Sequence, residues 1–138
     1  MSKAKVLPFP MPGDFEDAVQ KPTALVIEDN ALVRTSEKLL LRYDGFNVVT
    51  AEDGKTAVEI FGEHHRDIDV VITDCQLPEM SGQEVCLEIN ETSPQTPVML
   101  VSTDARYMSE DEREPFDAVL RKPFNATDFI QTARELVL

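Results

Sequence analysis

Apolar residues fall along this chain in short solid runs, and most runs break on an acidic or hydroxyl residue. Ala24-Leu25-Val26-Ile27 ends on Glu28-Asp29, Val70-Val71-Ile72-Thr73 on Asp74, and Val98-Met99-Leu100-Val101 on Ser102-Thr103-Asp104. Runs of this length bounded by turn signals read as strands buried on both faces. Phe46 to Ala51 and Asp117 to Leu120 supply two more. Between the strands the period lengthens. Leu32, Val33, Ser36, Leu39, Leu40 and Tyr43 recur at helical spacing before Asp44-Gly45, which predicts a helix with that stripe as its core face. Asp53-Gly54 opens a second helix with Ala57, Ile60, Phe61 and His64 on one face. Ser81 and Glu84 have the spacing of a capping box and open a third, running to about Glu91. Arg106 to Glu114 is polar almost throughout and is stopped by Pro115, so it predicts no more than a short or mobile helix. Asn125 caps the last helix, whose apolar face is Phe129, Ile130, Ala133, Leu136 and Val137. Five strands alternating with five helices predict an α/β fold, a doubly wound parallel sheet covered on both faces.

Composition changes this picture in two places. Residues 1–22 hold four prolines and a cluster of Asp14, Glu16 and Asp17, and read as a flexible N-terminal tail ahead of a single domain at residues 23–138. The tail's three lysines cancel its three acids, so the net charge of −13 belongs to the domain. Such a surface repels phosphates, which argues against nucleic-acid or anionic-membrane partners. No apolar run has membrane-spanning length, and the prolines break up any leader-like segment. Cys75 and Cys86 have no CxxC spacing and read as reduced thiols, the expectation for a cytoplasmic protein.

The polar residues that end the strands carry the chemistry. In a parallel sheet all carboxyl ends lie along one edge, where ligands bind. That edge should gather Glu28 and Asp29, Asp74, Ser102 with Thr103, and Lys122. Three carboxylates held together raise one another's pKa unless a counter-charge is present. A hard divalent cation answers that need, and Mg²⁺ suits a shallow cluster of a few carboxylates with water. A lysine and a hydroxyl beside it are what a phosphoryl group requires.

With those residues in hand, the chain resembles the receiver domain of two-component response regulators. The resemblance rests on Glu28-Asp29-Asn30 after the first strand, Asp74-Cys75-Gln76-Leu77-Pro78-Glu79-Met80-Ser81-Gly82 after the third, Ser102, and Lys122-Pro123-Phe124. It covers residues 23–138 and implies the flavodoxin-like (βα)5 sheet of order 2-1-3-4-5. It also implies that Asp74 is the phospho-acceptor and that Asp29 holds Mg²⁺ directly, with Glu28 acting through water. The backbone carbonyl of Gln76 would complete the metal site. Ser102 would hydrogen-bond the phosphoryl group, Lys122 would pair with it, and Lys122-Pro123 would be cis. The implied partner is a histidine kinase or histidine phosphotransfer protein, as in a phosphorelay, with output through protein contacts and no enzymatic activity of its own.

Other residues carry less. Cys75 should face the opposite side of the sheet from the acceptor and pack there, and Cys86 should lie in the core. His64-His65 reads as a solvated helix end. Gln76 and Asp104, each two residues beyond a site residue, would border the phosphoryl group. Three features depart from the family pattern: Val119 where an aromatic is usual, Pro115-Phe116-Asp117 in place of Gly-Ala, and the short acidic fourth helix. Two rival readings are a receiver-like module that binds partners without phosphorylation and a Mg²⁺-dependent phosphatase of the haloacid-dehalogenase type. The complete set of site residues argues against the first. The second needs an acid two residues after the nucleophile, where this chain has Gln76.

Overall fold

In the computed structural model, residues 21–103 and 108–138 are described. Most of the predicted tail, together with Asp104, lies outside them. The elements run β1 (Thr23–Ile27), α1 (Ala31–Tyr43), β2 (Asn47–Ala51), α2 (Gly54–His64), β3 (Val70–Asp74), α3 (Gly82–Thr92), β4 (Val98–Ser102), α4 (Glu110–Arg113), β5 (Ala118–Arg121) and α5 (Ala126–Val137). All strand pairs are parallel and the order is β2-β1-β3-β4-β5, which is the predicted order. Among the described residues no helix is long and apolar enough to cross a membrane.

Alternation along the strands divides the core in two. Leu25, Ile27, Val71, Val98 and Leu100 pack on one face with Ala57, Phe61, Val85 and Ile89 from α2 and α3. Ala24, Val26, Val70, Ile72, Met99 and Val101 pack on the other with Leu41, Phe129 and Ala133 from α1 and α5. The helix starts follow the local chemistry. Asn30, Asp53 and Asn125 each accept a hydrogen bond from a first-turn amide, and Ser81 with Glu84 forms the predicted capping box. The Lys122–Pro123 bond is cis, as the resemblance implied.

One predicted face is wrong. The helix at α1 is present, but Leu32, Leu39 and Tyr43 are exposed, while Glu37 and Leu41 are buried. The helix is rotated so that Arg34, Glu37 and Leu41 turn inward, and Arg34 Nη1 donates to the Glu28 carbonyl at 2.8 Å. That bond ties the rotation of α1 to the end of β1. His64, aligned with the apolar face of α2, is exposed, which agrees with the reading of His64-His65 as a solvated helix end.

The unusual segment before β5 is built into the core. Phe116 is buried, and the Asp117 carboxylate accepts from the Val98 amide at 2.8 Å, tying the entry of β5 to that of β4. Among the described residues of the acidic fourth segment, Glu110–Arg113 are helical, with Ser109 and Glu112 forming a capping box.

Candidate functional site

The parallel topology delivers the predicted residues to one edge. Glu28 and Asp29 follow β1, Asp74 ends β3, Ser102 ends β4, and Lys122 follows β5. Successive residues point opposite ways, so Glu28 turns inward at 2% exposure and Asp29 outward into solvent. Carboxylate oxygens of Glu28, Asp29 and Asp74 all lie within 4.8 Å of one another. Lys122 Nζ lies 3.0 Å from Glu28 Oε1 and 3.7 Å from Asp74 Oδ2. The amide of Lys122 donates to the Ser102 carbonyl at 2.9 Å, which extends the β4–β5 pairing and seats the lysine beside the buried Ser102.

Each acid is oriented by neighbours. Glu28 Oε2 accepts from the Asn30 amide at 3.0 Å, and Asp74 Oδ1 accepts from the Cys75 amide at 2.7 Å. Asp74 Oδ2 therefore faces Lys122 while its other oxygen is held by backbone. The loop after Asp74 folds tightly back on itself. Gly82 donates its amide to the Cys75 carbonyl at 2.8 Å, and Gln76 bridges to Ser81. A Cβ on Gly82 would stand 2.4 Å from the Asp74 carbonyl oxygen, so the approach admits only glycine.

The electrostatics are those of crowded acids with one cation. Burial raises the Glu28 pKa and the charge of Asp74 raises it further, against the opposing Asn30 amide and Lys122. Burial pulls the Lys122 pKa down, but its hydrogen bond to Glu28 and the charges of Asp74, Glu28 and Glu37 outweigh this and leave it raised. Lys122 therefore stays an ammonium. One lysine does not balance three carboxylates, and the remaining donors are hard oxygens close enough to share one ion. The residues present fit Mg²⁺.

Sequence reasoning placed Glu28, Asp29, Asp74, Ser102 and Lys122 at this edge, and the structure brings them there together. Gln76 begins the loop beside them. Three contributors were missed. Asn30 was read as part of a motif and not as a donor to Glu28. Arg34 bonds the Glu28 and Asp29 carbonyls at 2.8 and 3.4 Å. Glu37, buried on α1, feels the charges of Glu28, Lys122 and Asp74. The apolar periodicity of α1 points to another face of the helix, so it gave no signal for the last two. Cys75 packs against the α2–α3 side of the core, and Cys86 is buried with its thiol donating to the Pro115 carbonyl at 3.2 Å. Val119 is partly buried against the same cluster.

Known proteins are similar to this chain in sequence and fold. The family model for the response regulator receiver domain matches residues 24–134. The chain is 31% identical over 122 residues to the probable transcriptional regulatory protein TcrX of Mycobacterium tuberculosis, covering 86% of this chain and 50% of that protein. It is 33% identical over 105 residues to the autoinducer 1 sensor kinase/phosphatase LuxN of Vibrio harveyi, covering 75% of this chain and 12% of that one. The chain thus spans half or less of the length of these curated relatives. Among solved structures, a response regulator receiver domain protein from Clostridium thermocellum superposes with a TM-score of 0.78 at 31% identity, covering 84% of this chain and 94% of that one. The response regulator TrrA of Thermotoga maritima, in complex with Mg²⁺-BeF, gives 0.77 at 28% identity, covering 83% and 98%.

Proposed function

The chain belongs to the response regulator receiver domain family, and from that premise we propose that it takes a phosphoryl group onto Asp74 from a histidine kinase or histidine phosphotransfer protein. Receiver domains are signalling modules that work with such partners and bind Mg²⁺ at an acidic pocket, and this chain has the corresponding cluster. The observation that carries the proposal is the clustering of the Glu28, Asp29 and Asp74 carboxylates, with Lys122 Nζ 3.7 Å from Asp74 Oδ2. Residues 23–138 act as one receiver module, and its output runs through protein contacts in the cytoplasm.

The Asp74 carboxylate attacks the donor phosphorus, a P–O bond forms as the P–N bond to histidine breaks, and an acyl phosphate results. Asp29 and Asp74 directly, Glu28 through water and the Gln76 carbonyl would hold Mg²⁺, which supplies charge neutralisation to the phosphoryl oxygens when bound. Lys122, already poised between Glu28 and Asp74, turns its ammonium onto those oxygens. Ser102 supplies a hydroxyl to the same group. The product adds about two negative charges to an acidic edge, and the Ser102 end of β4 carries the change onward.

Mg²⁺ alone should raise the melting temperature of the wild type by relieving repulsion among the three acids. Asp29→Asn should lose that shift. An equal shift in both proteins would sink the metal site.

A further inference from the structure

Glu28 and Asp74 each have one carboxylate oxygen held by a backbone amide, from Asn30 at 3.0 Å and from Cys75 at 2.7 Å. Asp29 has no such anchor. It is exposed, and among the described residues no donor reaches its carboxylate. Yet that carboxylate comes within 4.8 Å of the other two, against the repulsion of like charges. Its aim is therefore set by its backbone. The peptide planes on either side of Asp29 are both engaged by one group. Arg34 Nη1 lies 2.8 Å from the Glu28 carbonyl oxygen and, in a longer contact, 3.4 Å from the Asp29 carbonyl oxygen. The first oxygen belongs to the plane before the Asp29 Cα and the second to the plane after it. Peptide planes are rigid, so φ and ψ alone orient the residue between them. A donor bound to both planes fixes the two angles together. Arg34 is anchored in turn: its amide donates to the Asn30 carbonyl at 2.9 Å, and Asn30 caps α1 by accepting from the Val33 amide at 3.0 Å. A guanidinium beside three carboxylates would ordinarily pair with one of them. Among the described residues Arg34 makes no ion pair and is directed to backbone instead.

We propose that Arg34 is a positioning residue for the metal site: by bridging the two carbonyls that flank the Asp29 Cα, it fixes the backbone from which Asp29 reaches a divalent cation. The inference rests on the reading of Glu28, Asp29 and Asp74 as the Mg²⁺ ligands. Arg34 itself touches neither the ion nor the acceptor. Its charge and its geometry act in opposite directions. As a bare positive charge it would weaken the binding of a second cation, and its removal would tighten the site. As a clamp it orders Asp29 before the ion arrives, and its removal would loosen the site. The groups that orient metal ligands are worth about 10- to 100-fold in affinity. Repulsion across a solvent-exposed edge is reduced by water and salt. The clamp therefore decides the sign.

The test compares wild type with Arg34→Met and Arg34→Gln, which remove the charge and the long donor while keeping a helix propensity close to that of arginine. Without any phosphodonor, magnesium chloride is titrated at constant ionic strength against the backbone amide shifts of Asp29, Asn30 and Cys75. Both variants should bind Mg²⁺ about 10- to 100-fold more weakly than wild type. Before Mg²⁺ is added, the three-bond HN–Hα coupling of Asp29, which reads φ, should move toward an averaged value in the variants, with the couplings of Leu25, Val26 and Ile27 unchanged. An affinity equal to or tighter than that of wild type, or an Asp29 coupling that the substitutions leave alone, overturns the proposal. In wild type itself, a resolved Arg34 Nη1 signal with slow guanidinium rotation should mark the bond to the Glu28 carbonyl. A freely rotating guanidinium overturns the clamp whether or not either variant folds. Wild-type amides at Asp29, Asn30 and Cys75 that ignore Mg²⁺ refute the metal-site reading instead, and the Asp29 coupling still decides whether Arg34 sets that backbone.

Discussion

Replacing Glu37 by glutamine should stabilise the fold by an amount that grows with pH. The folded-state carboxyl is pushed up to about 8 from its ordinary 4.5, by burial first and then by the charge of Glu28. Between those two values the folded state holds a proton that the unfolded chain has released. A raised acid pKa means that its contribution is intact below pH 4.5 and is lost as pH climbs to 8. The loss runs at about 1.4 kcal/mol per pH unit, which gives about 3 kcal/mol at pH 7 and about 5 kcal/mol in all. Glutamine cannot ionise, so its advantage should be smallest near pH 4.5, reach about 3 kcal/mol at pH 7, and level off above pH 8. Burying an amide adds an offset of its own, but that offset is the same at every pH. Urea unfolding of the two proteins at pH 4.5, 6, 7 and 8.5, with unchanged denaturant slopes, reads the difference directly. A gap that stays constant with pH would mean that Glu37 titrates alike in the folded and the unfolded chain.

Two further outcomes follow from the same geometry. Gly82→Ala should destabilise the domain by about 1–3 kcal/mol in urea unfolding, because the new methyl meets the Asp74 carbonyl oxygen where only backbone can yield; no loss would mean that the loop relaxes freely. With a beryllofluoride mimic and Mg²⁺, amide exchange should change mainly within residues 103–116 while Val119 stays protected. Helix α4 there has only four residues, all exposed, in the acidic segment between β4 and β5. Changes confined to other segments would defeat that expectation.

The strands were legible because burial on both faces writes itself as an unbroken apolar run, as in Val70 to Ile72, and because each run stops at a residue of different chemistry. Sheet order and the convergence of Asp29, Asp74 and Lys122 then follow from parallel topology and the resemblance. The rotation of α1 was not legible. Leu32, Leu39 and Tyr43 form as regular a stripe as a core face would, yet they are exposed. Tertiary contacts decide the phase: Arg34 reaches back to the end of β1 and carries Glu37 and Leu41 inward with it. A charged residue at a buried position contradicts periodicity, so no pattern in the chain announces Glu37. The role of Asp117 was hidden for a related reason. Its carboxylate serves the backbone of a strand 19 residues away, which local spacing does not encode.

Acceptance of the phosphoryl group by Asp74 is what every other step of the proposed reaction depends on. Intact-mass spectrometry after incubation with acetyl phosphate and Mg²⁺ tests it most directly. Wild type should gain a single phosphoryl group that is stable in acid, lost in base and mapped to Asp74, while Asp74→Asn gains none. Labelling of Asp74→Asn at the wild-type rate would contradict the account.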